Sequence, residues 1–325
     1  MVMCDVSRKG FVFSMIAILL LLVFFIIVQA GLVNTSNESR DFATASQLVT
    51  QIEDSAIPII TRAVLRSHLA ALIDSYNATN PVVLSQDEAI RLTQLEALFF
   101  NGTLPNGYDL GYNLSFYFDQ YVDLVLNETP FELSIVPHNF SFSVSHSNPW
   151  ALDVSILYLY SLRTPKLEWA NKSLYHTQSI DITGYDDPLM YLQLIPDSIN
   201  KSVSIVPANV SVGNFTLANM SDAVLQSRFM HNNASPDFLS RLSNLTTPSV
   251  FGIERVISFA MTNSSEKNAT YVSHVFYESL GVCNNPLFEI DLGGGETILL
   301  DNVRVLHYFE PITRTAILNS SQYCP

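Results

Sequence analysis

The first strong pattern along the chain is an uninterrupted apolar run at residues 11–33, which reads FVFSMIAILLLLVFFIIVQAGLV. Helical residues rise by about 1.5 Å each, so a run of this length reaches roughly 34 Å and crosses the hydrocarbon layer of a membrane. A core helix of a globular protein has a polar face, which this run lacks. The pattern therefore predicts a membrane span.

After the apolar run, hydrophobic residues recur at helical spacing. Residues 41–76 predict an amphipathic stalk that is kinked or divided at Pro58, because proline lacks an amide hydrogen and its ring collides with the preceding turn. The stretch Ser85-Gln86-Asp87-Glu88 has the form of a capping box and predicts a helix over 86–100. A further helix is predicted over about 116–126.

Beyond Pro130 the hydrophobic period changes from about 3.6 to 2. Phe140, Phe142 and Val144 alternate with serines, and alternation returns over 150–160 and 174–182. This predicts an antiparallel sheet of three or four strands with one face packed on helices. For the last 140 residues the pattern predicts short helices and strands, with Gly293-Gly294-Gly295 as a turn: helices at about 221–231, 236–243 and 268–280, and strands around 202–206, 287–291 and 297–300.

The predicted fold class is α+β: an N-terminal transmembrane helix continues into a helical stalk, and an antiparallel β-sheet packed with helices follows. The predicted domains are a cytoplasmic leader (1–10), the transmembrane helix (11–33), a helical stalk or membrane-proximal region (34–129) and an α+β extracytoplasmic head (130–325). Arg8 and Lys9 precede the span, and short basic flanks stay on the cytoplasmic side. We therefore expect a single-pass protein of the cell membrane with its bulk outside.

Potential N-glycosylation sites support the same orientation. The pattern Asn-x-Ser/Thr, without proline at x, includes 17 of the 24 asparagines, whereas roughly four would arise by chance at this Ser and Thr content. Every one of them follows the apolar run. The candidate acceptors are Asn34, Asn37, Asn77, Asn101, Asn113, Asn127, Asn139, Asn171, Asn200, Asn209, Asn214, Asn219, Asn233, Asn244, Asn263, Asn268 and Asn319.

Three fates of the N-terminal segment remain open. The long apolar run favours a retained anchor, while Val28-Gln29-Ala30 resembles the cleavage site of a secretory signal peptide. The junction Lys9-Gly10-Phe11, preceded by Arg8, resembles the class III signal of archaeal pilins, which a prepilin peptidase cuts after the glycine. Lys9, Gly10 and Phe11 are thus the candidate processing residues.

Charge and cysteine content narrow the possible partners. The formal net charge of -14, with only 16 basic residues, argues against nucleic acid, since a phosphate backbone would be repelled. Of the three cysteines, Cys4 precedes the span, which leaves Cys283 and Cys324 as the possible extracytoplasmic pair. We predict a disulfide between them; two separate buried thiols are the alternative.

The common catalytic signatures are absent from the sequence, and we predict no catalytic residues, metal ligands or cofactor. The triple glycine lacks the Lys and Ser/Thr of a P-loop, and there is no Gly-x-Ser-x-Gly or His-Glu-x-x-His. His138 and His146 share strand parity but lie about 26 Å apart on an unbroken strand. Asp186-Asp187 before Pro188 favours a turn or helix start over a calcium or acid–base site.

Four segments together carry a resemblance. They are Asn148-Pro149-Trp150 with Val154, Gly184-Tyr185-Asp186-Asp187-Pro188-Leu189, Phe238-Leu239-Ser240-Arg241-Leu242 and Phe251-Gly252-Ile253-Glu254-Arg255. In order and spacing this set resembles an uncharacterised family of archaeal membrane-anchored surface proteins, which begin with a Lys/Arg-Gly junction and one span. The resemblance implies location and architecture, and it implies no activity.

The functional expectation is a non-enzymatic, N-glycosylated protein of the archaeal cell envelope that acts in surface structure, adhesion or pilus-like assembly. Its expected partners are the membrane, N-linked glycans, and further copies of itself or other envelope proteins. One alternative is an envelope sensor or ligand-binding module with a sugar-free pocket at Trp150, whose indole is otherwise a core anchor. A less favoured alternative is an extracytoplasmic hydrolase that uses Asp186 and Asp187.

Overall fold

The structure is a computed structural model that describes residues 37–77, 81–163, 168–192, 203–257, 270–272, 275–277, 287–293, 296–319 and 322–323. The predicted leader, the span at 11–33 and the processing site at Lys9-Gly10-Phe11 lie outside the described residues. Cys283 and Cys324 do so too, as do four of the candidate acceptors: Asn34, Asn200, Asn263 and Asn268.

The described chain mixes helices with antiparallel sheets, which confirms the α+β class. In chain order the elements are α1 (Asn37–Gln51), a π-helical turn (Ile52–Ala56), α2 (Ile57–Tyr76), α3 (Glu88–Asn101), α4 (Leu114–Glu128), β1 (Glu132–Asn148), β2 (Ala151–Arg163), β3 (Glu168–Asp181), α5 (Pro188–Leu192), α6 (Leu217–Leu225), β4 (Phe229–His231), α7 (Phe238–Leu242), β5 (Ile253–Ile257), β6 (Thr270–Val272), β7 (Val275–Tyr277), β8 (Leu287–Gly293), β9 (Glu296–Asp301), α8 (Asn302–Tyr308), α9 (Pro311–Leu318) and β10 (Gln322–Tyr323).

The chain forms two compact units. The first unit comprises the described residues within 37–69, 92–145 and 153–180, and the second comprises those within 70–91, 146–152 and 181–323. Helices α1 and α4, with most of α2 and α3, therefore share one unit with most of the first sheet.

One helical run of the described residues, Phe42–Tyr76, is long and apolar enough by length and composition to cross a membrane. However, 56% of its most apolar window is buried inside the protein. Ile52 and Ile60 are fully buried, and the hydroxyl of Thr61 lies 2.6 Å from that of Tyr158 in β2. This run has the burial of a core helix, where the sequence pattern predicted a stalk.

Pro58 lies just after a local change of helix type. The π-helical turn over Ile52–Ala56 interrupts the α-helical geometry between α1 and α2, and the helix continues beyond it to Tyr76. A proline removes one backbone hydrogen bond and crowds the turn before it, and a π-bulge relieves that crowding. The kink or break predicted at Pro58 therefore takes the form of a π-helical turn just before the proline, and the helix continues.

The helices α3 and α4 begin with side-chain caps. Asp87 Oδ1 accepts from the amide of Ile90 at 3.0 Å, while Ser85 Oγ accepts from the amide of Asp87 at 3.2 Å. The cap of α3 is thus Asp87, and the capping box predicted from Ser85 is shifted by two residues. Asn113 caps α4 by accepting from the amide of Phe116 at 2.8 Å.

Strands β1, β2 and β3 form the first sheet in that order, which makes β2 the central strand. The two residues Pro149 and Trp150 connect β1 to β2, a connection that only antiparallel neighbours allow. Side chains on β2 such as Val154, Ile156 and Tyr158 are fully buried. The three strands match the predicted sheet, and the two edge strands, β1 and β3, are longer than predicted.

The second unit contains two further sheets, ordered β4-β5-β6-β7 and β10-β8-β9. Its apolar core joins both sheets to α6, α8 and α9. The members include Phe215, Met220, Val224, Met230, Val256, Phe288, Ile290, Ile298, Leu300, Val305, Tyr308, Phe309 and Ile317. Strands β8 and β9 and helix α7 occur where the sequence predicts them, and Gly293 has the positive φ (85°) expected of its turn.

Three predictions in the second unit are wrong. Residues 268–280 were expected to form a helix, but β6 and β7 pair there as antiparallel strands, in keeping with their β-branched and aromatic residues. The helix expected at 221–231 is α6, which ends at Leu225 before β4 begins. The strand expected at 202–206 is reduced to an isolated bridge between Ser204 and Asp186.

Candidate functional site: a buried ionic network and a cleft at Trp150

Three of the segments that carry the family resemblance meet inside the second unit. Arg241 of α7 donates from Nη1 to Oδ2 of Asp187 at 2.6 Å, and both side chains are fully buried. Its Nη2 donates to the backbone carbonyl of Ile253 in β5. One guanidinium therefore ties the turn before α5, the helix α7 and the strand β5 together.

The next residue in β5 organises a second group of polar side chains. Glu254 is fully buried and accepts from Arg304 through Nη2 at 2.9 Å and Nε at 3.0 Å. Asn232 donates to the same carboxylate at 2.8 Å and Ser235 at 2.6 Å, and the hydroxyl of Tyr308 donates to it as well. Burial, together with the negative charge of Glu254, raises the pKa of Tyr308 well above its ordinary value.

Arg304 carries a second ion pair that also begins a helix. Its Nη1 lies 2.6 Å from Oδ2 of Asp301, and Oδ1 of Asp301 accepts from the amide of Arg304 at 2.8 Å. Asp301 is therefore both the N-cap of α8 and a charge partner. The ion pairs join β9, α8 and β5.

The remaining buried cation lies beside an aromatic ring. The guanidinium carbons of Arg241 and Arg255 both lie 5.9 Å from the centre of the Phe229 ring. Burial lowers the pKa of Arg255 to about 10, with nearby Asp187 opposing the shift, so the side chain stays charged at neutral pH. We call Asp187, Arg241, Glu254, Arg255, Asp301 and Arg304 the buried ionic network. Its three carboxylates balance its three guanidiniums.

A glycine in the same segment permits the close packing around Glu254. A Cβ atom on Gly252 would lie 2.0 Å from the carbonyl oxygen of Ser235 and 2.3 Å from that of Asn232. The carbonyl of Gly252 also accepts from the amide of Asn232 at 2.9 Å. Only glycine fits where these backbones approach, which gives the Phe251–Arg255 segment a physical reason for its glycine.

The buried ionic network connects distant segments of the chain, and its charged groups are not exposed to a substrate. Its members are buried, and Arg241 and Arg304 are paired with carboxylates across short hydrogen bonds. Such an arrangement fixes a unique packing of distant segments, while removal of one partner leaves a buried charge uncompensated. Glu254 and Arg255 lie in a motif that carries the resemblance but gives no sign of their roles, and Arg304, Asp301 and Tyr308 lie outside every motif.

The two adjacent aspartates have separate tasks. Asp187 pairs with Arg241 and also accepts from the amide of Leu189 at 3.1 Å, which starts α5. Asp186 is partly exposed and accepts from Tyr191 at 2.7 Å and from Ser204 at 3.1 Å. Among the described residues no group of three or more His, Cys, Asp and Glu side chains is placed to hold a metal ion.

His138 and His146 lie eight positions apart on the same unbroken strand, which corresponds to a separation of about 26 Å. His146 belongs to the second unit: its Nδ1 is 3.0 Å from the carbonyl of Ala151, and its ring stacks on Phe251 at 5.8 Å between ring centres. Its Nε2 lies 3.9 Å from Asp237. The two histidines are not brought together.

A cleft of about 420 Å³ opens in the second unit beside Trp150, which is half-buried. We call it the Trp150 cleft. Its walls are the Pro149–Trp150 turn, the loop 208–212 and strand β4. Its aromatic lining is of the kind expected for a ligand-binding module. However, Asn209, a candidate glycan acceptor, also lies in its wall.

The candidate acceptors avoid the interior of the described chain. Ten of them have a described side chain; Asn113 and Asn219 are half-buried, and the other eight are exposed. Asn232, which is not in the acceptor pattern, is buried, whereas its neighbour Asn233, which is, lies exposed. The exposed acceptors are Asn77, Asn101, Asn127, Asn209, Asn214, Asn233, Asn244 and Asn319.

Comparisons of the chain with protein-family models, with curated proteins and with solved structures found no match. The resemblance to archaeal membrane-anchored surface proteins therefore stays a prediction from the four segments.

Proposed function

We propose that this protein is a single-pass, N-glycosylated protein of the archaeal cell envelope, anchored by residues 11–33 with its bulk outside the cell. It acts without enzymatic activity in surface structure, adhesion or pilus-like assembly. The observation that carries the proposal is the excess of acceptor asparagines, 17 of 24, none of which is buried where its side chain is described.

The placement of acceptors in the first sheet agrees with this proposal. Asn139 lies in β1 and Asn171 in β3, the two edge strands, while β2 contains no asparagine. Exposed sheet edges invite pairing with other chains, and a bulky polar group at an edge prevents it.

The proposal is tested by site-specific glycopeptide mapping of the protein from its native membrane. We expect sugar on most of the exposed acceptors, including Asn77, Asn127 and Asn244. A protein whose acceptors are all bare contradicts the proposal. The intact mass of the same material distinguishes the N-terminal fates, since a start at Phe11 indicates prepilin-type processing and a start at Gly31 indicates a cleaved signal peptide.

A second candidate function, an envelope sensor or ligand-binding module, is favoured by one observation, the Trp150 cleft. It requires the cleft to stay free of sugar, which an unmodified Asn209 in a protein glycosylated elsewhere would support. Hydrolysis by Asp186 and Asp187 lacks such an observation, because the carboxylate of Asp187 is engaged by Arg241.

A further inference from the structure

We propose that the glycan on Asn209 folds back into the Trp150 cleft, where its first sugars stack on the indole ring and fill the space. The inference rests on the proposed glycosylation and adds a structural task for one glycan. It also assigns an occupant to the cleft, which would otherwise be a candidate ligand site.

The walls of the cleft are fixed by backbone hydrogen bonds. Asn148 Oδ1 accepts from the amide of Trp150 at 2.8 Å, and the carbonyl of Trp150 accepts from the amide of Ile182 at 3.0 Å. On the opposite side, the amide of Ala208 donates to the carbonyl of Phe229 at 2.8 Å. The cleft is therefore preformed, and a sugar that enters it orders no additional backbone.

The lining suits a carbohydrate. A pyranose ring has one face of C–H groups that packs on aromatic rings and a rim of hydroxyls that needs hydrogen bonds, and Trp combines a large apolar surface with a polar edge. Trp150 and Pro149 supply the apolar wall, while Ser211 and His231 supply polar groups. A volume of about 420 Å³ lies within the range of small-molecule clefts.

The covalent link makes weak contacts sufficient. Asn209 lies in the cleft wall and its side chain is exposed, so a sugar on its amide nitrogen starts at the cleft mouth. A short tether of this kind gives an effective concentration in the millimolar range, so a contact with a millimolar dissociation constant is sufficient to hold the sugar in the cleft.

Two neighbouring acceptors provide an internal comparison. Asn214 and Asn219 lie within ten residues of Asn209, but neither lines the cleft. Asn214 is exposed, and Asn219 is half-buried on α6. A glycan at Asn214 therefore serves as a matched control for the effect of a nearby sugar that has no access to Trp150.

Tryptophan fluorescence reports the occupant directly, because the chain has only two tryptophans. Trp169 lies in the first unit beside Phe42, at 5.8 Å between ring centres. Trp169→Phe leaves Trp150 as the single emitter. We would express this full-length variant in an archaeal host that performs N-glycosylation and measure acrylamide quenching alone and with Asn209→Gln, Ser211→Ala or Asn214→Gln, together with glycan occupancy at each acceptor.

If Asn209 is glycosylated in the parent Trp169→Phe protein, Asn209→Gln and Ser211→Ala should each raise the quenching constant of Trp150 on the order of twofold. Both substitutions remove the glycan and so expose the indole ring that the sugar covered. Asn214→Gln should leave the quenching constant unchanged. Two variants with different side chains separate loss of the glycan from a local change in the wall. Equal quenching with and without an occupied Asn209 overturns the inference, because the glycan then points into solvent.

The occupancy data separate this inference from the proposed function. A bare Asn209 beside sugar at other acceptors overturns the inference alone and favours the ligand-binding candidate. Bare asparagines throughout the chain overturn both.

Discussion

The two compact units are stabilised by different kinds of interior. In the first unit the described buried polar side chains are neutral hydroxyls and amides together with His68, such as Thr61 against Tyr158. All the described side chains of Asp, Glu and Arg that are buried lie in the second unit. The first unit thus relies mainly on the burial of apolar side chains, whereas the second adds charge pairs between segments far apart in sequence.

The difference matters because the two interiors respond differently to single changes. An apolar interior loses stability in proportion to the area and packing that a substitution removes. A buried ion pair contributes little net stability when complete, yet the loss of one partner is costly because the other charge remains buried. The two tryptophans, Trp169 in the first unit and Trp150 in the second, allow each unit to be followed separately through single-tryptophan variants.

The largest effect is expected from Asp187→Asn. It leaves the Arg241 guanidinium without its buried counterion, which costs about 3–5 kcal/mol of unfolding free energy. Urea denaturation followed by Trp150 should show a strongly lowered midpoint, with a smaller change at Trp169. Asp186→Asn, one residue away and partly exposed, is the matched control and should cost about 1 kcal/mol. Equal effects of the two substitutions would contradict the assigned role of the ion pair.

The predicted disulfide offers the next largest effect. Tyr323 of β10 pairs with Leu287 of β8, so the strands adjacent in sequence to Cys324 and Cys283 already meet. Closing a loop of this length stabilises a protein by about 4 kcal/mol in the chain-entropy estimate. Cys283→Ser should lower the Trp150 midpoint, and Cys4→Ser should not. Alkylation of the denatured, unreduced protein at Cys283 and Cys324 as well as at Cys4 would show that the disulfide is absent.

Gly252→Ala tests the close backbone approach beside Glu254. The added methyl group would meet two carbonyl oxygens, and overpacking of this kind typically costs about 1–3 kcal/mol. The loss should appear in the second unit, as a lower midpoint reported by Trp150. An unchanged midpoint would mean that the β5 segment shifts freely, which the buried ionic network should prevent.

The smallest effect is expected in the first unit from Tyr158→Phe. The substitution keeps the ring but leaves the buried hydroxyl of Thr61 without the 2.6 Å partner on β2, at a cost of about 1–2 kcal/mol. The Trp169 midpoint should fall modestly. Tyr175→Phe on an exposed position of β3 is the control and should change nothing measurable. A loss as large as that of Asp187→Asn would remove the distinction between the two interiors.

The sequence predicted the first unit better than the second for a physical reason. Its long helices and strands repeat the hydrophobic period over many residues, so α3, α4 and β1 to β3 could be predicted from pattern alone. The short elements of the second unit span few periods, and tertiary pairing decides whether residues such as Tyr271 and Phe276 form strand or helix.

The ionic network was beyond sequence reasoning because its partners are separated by 54 residues for Asp187 and Arg241 and by 50 for Glu254 and Arg304. Nothing local shows which carboxylate an arginine will meet. One signal was available: Arg304 lies within the apolar stretch around Leu300 and Val305, where an unpaired cation would be unfavourable. The cleft at Trp150 was anticipated as an alternative, but the position of Asn209 in its wall required the structure.

The central claim, that residues after the apolar run lie outside the cell, is tested most directly by labelling whole cells with a membrane-impermeant amine reagent. Lys172 is exposed on β3, and Lys9 lies in the predicted cytoplasmic leader. The account predicts that Lys172 is modified on intact cells and that Lys9, where it is retained, is modified only after lysis. Protection of Lys172 until the cells are broken would contradict the account.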